Sequence, residues 1–322
     1  MTGTYEAKEN TTWPEFMKLY ESRVLERSEN ATSAETARRS LAAFAAVMKP
    51  NRVKSIDTGA VDDFRKRRLV GTEERGAVDP ATVNRELRYL RHALRRAKRW
   101  KILADVPEFE FAKKPDKLPT HVSPEHLTAI YEACEHAKRP KRISNVQPAD
   151  WWRALIIMAY MTGWRIGQLL ALKWSDVDLD AGTALSQAEH NKGKRDAFLP
   201  LHPVIVEHLQ KLRTFGRGNV FAWDTNRRAI WDHFATIQEK ARLSNGKPMP
   251  KAGKGGHWYG FHDLRRGFAT QNADKMDLFQ LQTLMQHRDL STTKRYVAMA
   301  ERLKKPVAEL FVPALKKPEK TG

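Results

Sequence analysis

A short segment rich in proline and lysine constrains the fold more than any other feature of the sequence. Residues 113–122 contain Pro115, Pro119 and three lysines, with little apolar content. Proline restricts its own backbone and that of the residue before it, so regular structure does not continue through such a stretch. The chain of 322 residues is also long for one compact domain, since about 150 residues per domain is the usual expectation. We therefore predict an interdomain linker over residues 113–122.

The linker separates segments that we expect to fold differently. They are a short N-terminal extension (1–11), a helical domain (12–112), a second domain (123–300) and a C-terminal tail (301–322). In the tail, Val307, Leu310, Phe311 and Leu315 form an apolar cluster at near-helical spacing, interrupted by proline. Such a segment is too apolar for a free terminus and too short for a core of its own, so we expect it to need a partner surface.

Apolar residues recur at helical spacing in the N-terminal domain. Leu41, Phe44 and Met48 predict a helix of about four turns that begins after Ser33. A second predicted helix covers residues 82–100. Its apolar stripe consists of Leu87, Leu90, Leu94 and Ala97.

The other side of this second helix is basic. Its one acidic residue, Glu86, leaves most of the arginines without a partner one helical turn away. The whole chain has 57 Lys+Arg against 38 Asp+Glu, a formal net charge of +19, which favours a polyanionic partner. We therefore predict contacts to the DNA backbone here, with a solvated basic surface as the alternative. The predicted contact residues are Arg85, Arg88, Arg95 and Arg99.

The second domain has the pattern of a helical domain with a small β-ribbon. Ser123-Pro124-Glu125 combines a capping hydroxyl, a proline at the first helical position and an acid in the first turn. Predicted helices cover residues 151–161, 166–172, 203–213, 227–242, 262–273 and 277–286, and predicted short strands cover 184–189 and 196–199. The predicted fold class is mainly α with a small β-ribbon or sheet (α+β), in two domains.

Composition argues against several other classes of protein. Cys134 is the only cysteine, so neither an intramolecular disulfide nor a cysteine-based zinc cluster is possible within one chain. The longest apolar stretch, residues 154–161, is far shorter than the roughly 20 residues that cross a bilayer. The first residues lack the apolar run of a secretory signal. Metal-site and nucleotide-binding motifs are also missing from the sequence. We expect a cytoplasmic protein with no membrane partner, no metal and no cofactor.

Three different clusters of polar residues lie along the second domain. Arg165 stands in Thr-Gly-Trp-Arg, His262 and Arg265 stand three apart in His-Asp-Leu-Arg, and Tyr296 follows His287 by nine positions. The phenol of tyrosine has a pKa near 10 and is a poor nucleophile at neutral pH. It becomes useful when cations hold an electrophile against it and stabilise the charge that develops. Two arginines, two histidines and one tyrosine suit a phosphodiester.

The order of these clusters resembles the tyrosine recombinases, also called the phage integrase family, and the resemblance spans most of the chain. It implies a site-specific DNA recombinase that cuts and rejoins double-stranded DNA through a 3′-phosphotyrosyl intermediate, without metal or ATP. It also implies a homo-tetramer on DNA, in which the tail after Tyr296 docks on a neighbouring protomer. Two alternatives are a DNA-binding regulator with a relict site and a type IB topoisomerase-like enzyme. The short N-terminal extension leads us to expect an integrase or resolvase of a mobile element.

The resemblance also implies a role for each candidate residue. Arg165 and Arg265 would bind the non-bridging phosphate oxygens, and Tyr296 would be the nucleophile. His262 would assist removal of the tyrosine proton and His287 would donate a hydrogen bond to the phosphate, although these two roles can be exchanged.

A lysine on the predicted ribbon would protonate the leaving 5′-oxygen. Lys192 is our first choice because it stands eight residues before Pro200, and Lys194 is the alternative and a further DNA-binding candidate. Two positions depart from the family pattern: Gln168 replaces the usual glutamate three residues after the first arginine, and Met285-Gln286-His287 replaces Leu-Gly-His.

Overall fold

The computed structural model describes residues 10–73, 75–114, 120–141, 146–190, 196–213, 218–286 and 293–294. The chain divides into two compact units, Met1–Lys117 and Leu118–Gly322. Several predicted site residues lie outside the described residues. They are Lys192, Lys194, His287, Tyr296 and the tail 301–322.

Helices form the first unit, because its apolar residues repeat at helical spacing. Helix α1 (Trp13–Tyr20) continues into a π-helical turn (Glu21–Leu25), and is followed by α2 (Ala31–Met48), α3 (Thr58–Val70) and α4 (Pro80–Arg99). Aromatic and leucine side chains from all of these helices share one core. Helix α2 begins one turn earlier than predicted, because the side chain of Asn30, and not that of Ser33, accepts the capping hydrogen bond.

Helix α4 buries the predicted apolar stripe. Leu87, Leu90 and Leu94 are fully buried, and Asp79 caps the helix directly before Pro80. Glu86 is buried on the same side and forms a two-pronged ion pair with Arg68 of α3, at 2.7 and 2.8 Å. The only acid of the helix is therefore directed toward α3.

The second unit contains the small sheet. Strands β1 (Val177–Asp178), β2 (Thr183–Ser186) and β3 (Ala197–Pro200) pair antiparallel in the order β1-β2-β3. The prediction of a strand over 184–189 is wrong at its end, since residues Ala188–His190 form a 3-10 turn. There the Ala188 amide donates a 2.7 Å hydrogen bond to the Asp196 carboxylate, and not to the backbone of a neighbouring strand.

The described part of the second unit also contains α-helices. They are α5 (Pro124–Ala133), α6 (Pro148–Thr162), α7 (Ile166–Ala171), α8 (Pro203–Gln210), α9 (Ala229–Lys240), α10 (Phe261–Asn272) and α11 (Leu278–Met285). Their core centres on α6, where Trp152 stacks on Phe234 and Phe261. Mostly helical structure with one small antiparallel sheet confirms the predicted α+β class. No helix in the described part of the chain combines the length and apolarity needed to cross a bilayer.

Helix α10 packs closely against α6 because Gly267 has no side chain. A Cβ at this position would lie 2.4 Å from the Tyr160 ring and 2.9 Å from the Val122 carbonyl oxygen. Such distances are far inside normal van der Waals contact, so only glycine permits this approach. The approach fixes the position of α10, which carries His262 and Arg265.

Candidate active site

A glycine turn places Arg165 at the start of α7. Gly163 ends α6 in the left-handed conformation, with φ of 65°. A Cβ there would lie 2.6 Å from the Phe268 ring and 2.9 Å from the Met285 sulfur. The Thr162 hydroxyl donates to the Met158 carbonyl at 2.7 Å and accepts from the Trp164 amide at 3.1 Å. The Thr-Gly-Trp-Arg sequence thus forms a tight turn against α10 and α11.

Arg265 joins three elements of this unit. The residue is only 1% exposed on α10. Its two terminal nitrogens donate to main-chain carbonyls, Nη1 to Gly163 and Nη2 to Met285. These carbonyls lie at the ends of α6 and α11, where the helix dipole places partial negative charge. The guanidinium is therefore held beside the Arg165 turn.

His262 lies on the same helix and has a lowered pKa. Although the side chain is solvent-exposed, desolvation by the protein around the ring and the positive charges of Arg266, Arg265 and Arg165 together lower its pKa to about 4. The Asp263 carboxylate acts in the opposite direction. The imidazole is consequently neutral at pH 7 and able to accept a proton. Both candidate arginines are near enough to influence it electrostatically.

Asp263 orients the first turn of α10. Its position in the sequence did not indicate this role. The side chain is nearly buried, and its Oδ2 accepts from the Gly260 amide at 2.9 Å. Its Oδ1 accepts from the Thr120 hydroxyl at 2.8 Å and from Nη1 of Arg266 at 2.9 Å. Asp263 therefore connects residue 120 to the turn that carries His262. Nothing in the sequence indicated this contact, because Thr120 and Asp263 are 143 positions apart.

Gln168 occupies the position behind the Arg165 turn. It is 2% exposed, and its side-chain oxygen accepts from the Arg165 backbone amide at 2.9 Å. Its side-chain nitrogen donates to the Ser186 hydroxyl at 3.1 Å and to the Gln286 side-chain oxygen at 2.7 Å. The amide thus supports the Arg165 backbone, and it links α7 to β2 and to the end of α11.

Two other tyrosines in this unit are held in structural roles. Tyr259 is buried and its hydroxyl is hydrogen-bonded to Nδ1 of His126 at 2.8 Å, while the Tyr160 hydroxyl donates to the Val122 carbonyl at 3.4 Å. Burial raises the pKa of each phenol to about 12. Both groups are less readily ionised than an ordinary tyrosine, which argues against either as the nucleophile.

The structure thus brings Arg165, His262 and Arg265 into one region of the second unit. Lys192, Lys194, His287 and Tyr296 lie outside the described residues. The chain supplies one constraint, since Gln286 is described and directly precedes His287. No group of three or more possible metal-ligating side chains occurs in the described ranges.

The first unit carries the predicted basic surface. Arg85, Arg88, Arg95 and Arg99 of α4 are all exposed, and Glu86 is engaged with Arg68 on the buried side. This placement leaves the predicted DNA-binding residues in contact with solvent on the face opposite the core.

A further arginine cluster lies beside α4 and was missed from the sequence. Arg23, Arg27, Arg96 and Trp100 line a concave surface with a volume of about 620 Å³. The Arg23 guanidinium lies over the Trp100 ring, 5.6 Å from its centroid. Arg23 belongs to the π-helical turn after α1, and Arg27 follows that turn. Regular helical spacing does not extend into such a segment, so no periodic pattern could associate these residues with Arg96.

Comparison with known proteins places the chain in a family. The profile of the phage integrase family matches residues 121–302, which include every described candidate of the second unit. The chain belongs to the phage integrase family. It is a tyrosine recombinase, an enzyme that cleaves and rejoins DNA strands.

Individual relatives agree with this assignment. The tyrosine recombinase XerC of Xanthomonas campestris pv. campestris is 26% identical over 275 residues, which cover 84% of this chain and 80% of that protein. Among solved structures, a lambda integrase dimer bound to a COC′ core site has a TM-score of 0.69 at 18% identity, covering 95% of this chain and all of that one. A lambda integrase tetramer bound to a Holliday junction has a TM-score of 0.68 at 18% identity, covering 92% and 80%. At such identities the structures show a common fold.

Proposed function

We propose that this tyrosine recombinase performs site-specific DNA recombination through a covalent link between Tyr296 and a 3′-phosphate of DNA. The Tyr296 oxygen attacks phosphorus, the phosphorus–5′-oxygen bond breaks, and the departing oxygen takes up a proton. A free 5′-hydroxyl from a partner strand then reverses the step and releases the tyrosine. The phosphodiester bond energy is conserved in the intermediate, so rejoining needs no nucleotide hydrolysis.

The observation that supports this function best is the convergence of Arg165 and Arg265 beside a neutral His262. Two guanidinium groups match the paired oxygens of a phosphodiester and stay charged at every working pH. Positively charged donors aimed at a phosphoryl group supply several kcal/mol of transition-state stabilisation in comparable reactions, roughly the effect of losing one oxyanion-hole donor. In this proposal the two arginines bind the non-bridging oxygens.

Proton transfer is assigned to the remaining candidates. His262 has a neutral ring that can accept the Tyr296 proton. His287 donates a hydrogen bond to the phosphate. Lys192 protonates the 5′-oxygen, with Lys194 as the alternative; the positive charge of the site favours loss of a proton from this lysine.

DNA binding is assigned to the basic surfaces. Arg85, Arg88, Arg95, Arg99 and Lys194 contact phosphates of double-stranded DNA. The concave cluster of Arg23, Arg27 and Arg96 provides further phosphate contacts, and the net charge of +19 supports DNA association at long range.

The proposed function also includes the assembly of several protomers on DNA. We infer a homo-tetramer during synapsis, with the tail 301–322 docked on a neighbouring protomer. The lambda integrase tetramer on a Holliday junction, which shares the fold, supports this arrangement. The linker at 113–122 then joins two DNA-binding domains. The recombinase belongs to a mobile element and acts in the cytoplasm.

Adduct formation on a nicked suicide substrate tests this function. The wild-type chain should become covalently attached to DNA, whereas Tyr296→Phe should bind the same DNA with equal affinity and form no adduct. Tyr160→Phe is the matched control and should retain adduct formation, because its hydroxyl makes only a 3.4 Å hydrogen bond to the Val122 carbonyl.

Other outcomes of this assay would contradict the proposal. Adduct formation by Tyr296→Phe would assign the nucleophile to another residue. A wild-type chain that binds DNA without any adduct would indicate a regulator with a relict site. Adducts that lead to strand relaxation but never to strand exchange would indicate a topoisomerase-like enzyme.

A further inference from the structure

The backbone of Gln286 adopts a conformation that usually belongs to glycine. Gln286 ends α11 with φ of 50° and ψ of 44°, in the left-handed region. Its amide donates to the Thr283 carbonyl at 3.0 Å and closes the helix. Glycine reaches this conformation without the steric cost that a side chain adds. A glutamine at this position therefore carries a backbone cost, together with a side-chain interaction that glycine could not make.

That interaction is the hydrogen bond from Gln168. The nitrogen of the buried Gln168 side chain donates to the Gln286 side-chain oxygen at 2.7 Å. The orientation of the Gln168 amide is determined by the Arg165 backbone N–H, which requires an oxygen as its acceptor. Gln168 must consequently direct its nitrogen toward Gln286. A continuous chain of hydrogen bonds thus runs from Gln286 through Gln168 to the Arg165 backbone.

A second hydrogen bond connects the end of α11 to a neighbouring helix. Nη2 of Arg265 donates to the main-chain carbonyl of Met285, the residue before Gln286. Consecutive residues at the end of α11 are therefore tied to α10 and to the start of α7. His287 follows them directly in the sequence. Any displacement of Gln286 changes where the chain enters the segment that carries His287.

We propose that Gln286 is a positioning residue that acts together with Gln168. The pair holds the entry to the His287 segment in register with the Arg165 turn, and this role rests on the proposed function. It explains why both positions depart together from the family pattern. A glutamate at 168 has no hydrogen to donate, so the contact would persist only with the Gln286 amide turned over, and the Ser186 hydroxyl would lose its donor. A glycine at 286 would remove one of the two acceptors of the buried Gln168 nitrogen.

Single-turnover cleavage at saturating DNA tests this proposal. Gln286→Gly should slow cleavage by about tenfold to a hundredfold, the effect of a small misplacement of catalytic groups. Its affinity for DNA should be unchanged, and its melting temperature should change little, because relief of the left-handed backbone offsets the loss of one buried hydrogen bond. A purely structural role of Gln286 would lower the melting temperature and would not affect cleavage selectively.

Lys49 provides a matched control. It ends α2 in the same conformation, with φ of 47° and ψ of 50°, and it is exposed. Lys49→Gly should therefore relax the backbone equally and leave cleavage at the wild-type rate. Gln286→Met, which keeps the backbone cost but removes the acceptor, should slow cleavage as Gln286→Gly does.

Coupling between the two glutamines gives the decisive result. Gln168→Glu alone should also slow cleavage, and the double variant Gln168→Glu/Gln286→Gly should cleave faster than the product of the two single effects predicts. Wild-type cleavage by Gln286→Gly, or strictly multiplicative effects, would overturn the role of Gln286 and leave the proposed function intact. An inactive wild-type chain would overturn both.

Discussion

The charge state of His262 is set by the groups around it. An unperturbed histidine titrates near pH 6.5, but desolvation by the surrounding protein and the nearby guanidinium groups lower the pKa of His262 to about 4. Folding therefore keeps this residue neutral over the whole physiological range. The same environment makes it a weak base, so the proton transfer that we propose for it depends on negative charge brought by the substrate.

Titration of His262 by nuclear magnetic resonance should show this directly. Without DNA, its pKa should be about 4, and binding of a duplex should raise it, because phosphate charge stabilises the imidazolium. The spectrum of His262→Asn assigns the resonance and serves as the control. Titration near pH 6.5 in the absence of DNA would contradict the predicted environment.

This shift also affects stability. Between pH 6.5 and about 4, His262 binds a proton in the unfolded chain but not in the folded one. Stability contributed by His262 therefore falls as the pH decreases through this window, and above it the residue is neutral in both states. The contribution is small, since the side chain is exposed to solvent.

Individual residues also show which parts of the site a sequence can reveal. Arg165, His262 and Arg265 were singled out by the resemblance to the tyrosine recombinases and by residue types that suit a phosphodiester. The Gln168–Gln286 contact was not predicted, because the partners are 118 positions apart and the contact depends on how α7 and α11 pack. Asp263 was missed for the same reason.

Among the secondary-structure elements, α3 and α4 are joined by a buried ion pair. The side chains of Arg68 and Glu86 are 8% and 7% exposed and meet at 2.7 Å. Removal of one partner from a buried pair leaves an uncompensated charge. The pair therefore fixes the orientation in which α4 presents its arginines.

Glu86→Ala should destabilise the first unit by about 3–5 kcal/mol, the usual cost of stranding a buried charge. Urea or thermal unfolding measures the effect. Glu35→Ala is the control, because Glu35 meets Arg39 on the surface at 2.9 Å with side chains 47% and 79% exposed, and such pairs contribute less than about 1 kcal/mol. Equal destabilisation by both variants would show that the buried pair of Arg68 and Glu86 contributes no more to stability than a surface pair.

Elements were predicted well where local pattern determines them. The stripe of Leu87, Leu90 and Leu94 identified the buried face of α4, because helical spacing is a local property of the sequence. The first turn of α2 and the end of β2 were placed wrongly, since Asn30 competes with Ser33 as a cap and Asp196 captures the Ala188 amide. Side-chain bonds of this kind decide boundaries and leave no periodic signal.

At the scale of the whole molecule, charge is the dominant property. The net charge of +19 extends over both units, and the arginine cluster of the first unit concentrates part of it in a concave surface. Each phosphate that a protein neutralises releases counterions, which makes affinity depend on salt. The salt dependence of DNA binding therefore reports how many arginines contact the backbone.

Arg23→Ala/Arg27→Ala should weaken binding to all DNA sequences and lower the slope of log affinity against log salt by up to about 1.8, from roughly 0.9 per phosphate contact. Fluorescence anisotropy at several salt concentrations measures the slope. Arg39→Ala, which removes an exposed arginine already paired with Glu35, should leave it unchanged. An unaltered slope in the double variant would assign this cluster to protein packing.

The hydrogen bonds from Arg265 to two main-chain carbonyls have a consequence for the entropy of DNA binding. An arginine side chain free to rotate loses about 2 kcal/mol of rotamer entropy when it is fixed. Here the guanidinium is already fixed between the Gly163 and Met285 carbonyls, so this loss occurs when the protein folds. In the proposed function, the remaining hydrogens of this preorganised guanidinium would bind the phosphate without that cost, an advantage of about thirtyfold in affinity or rate.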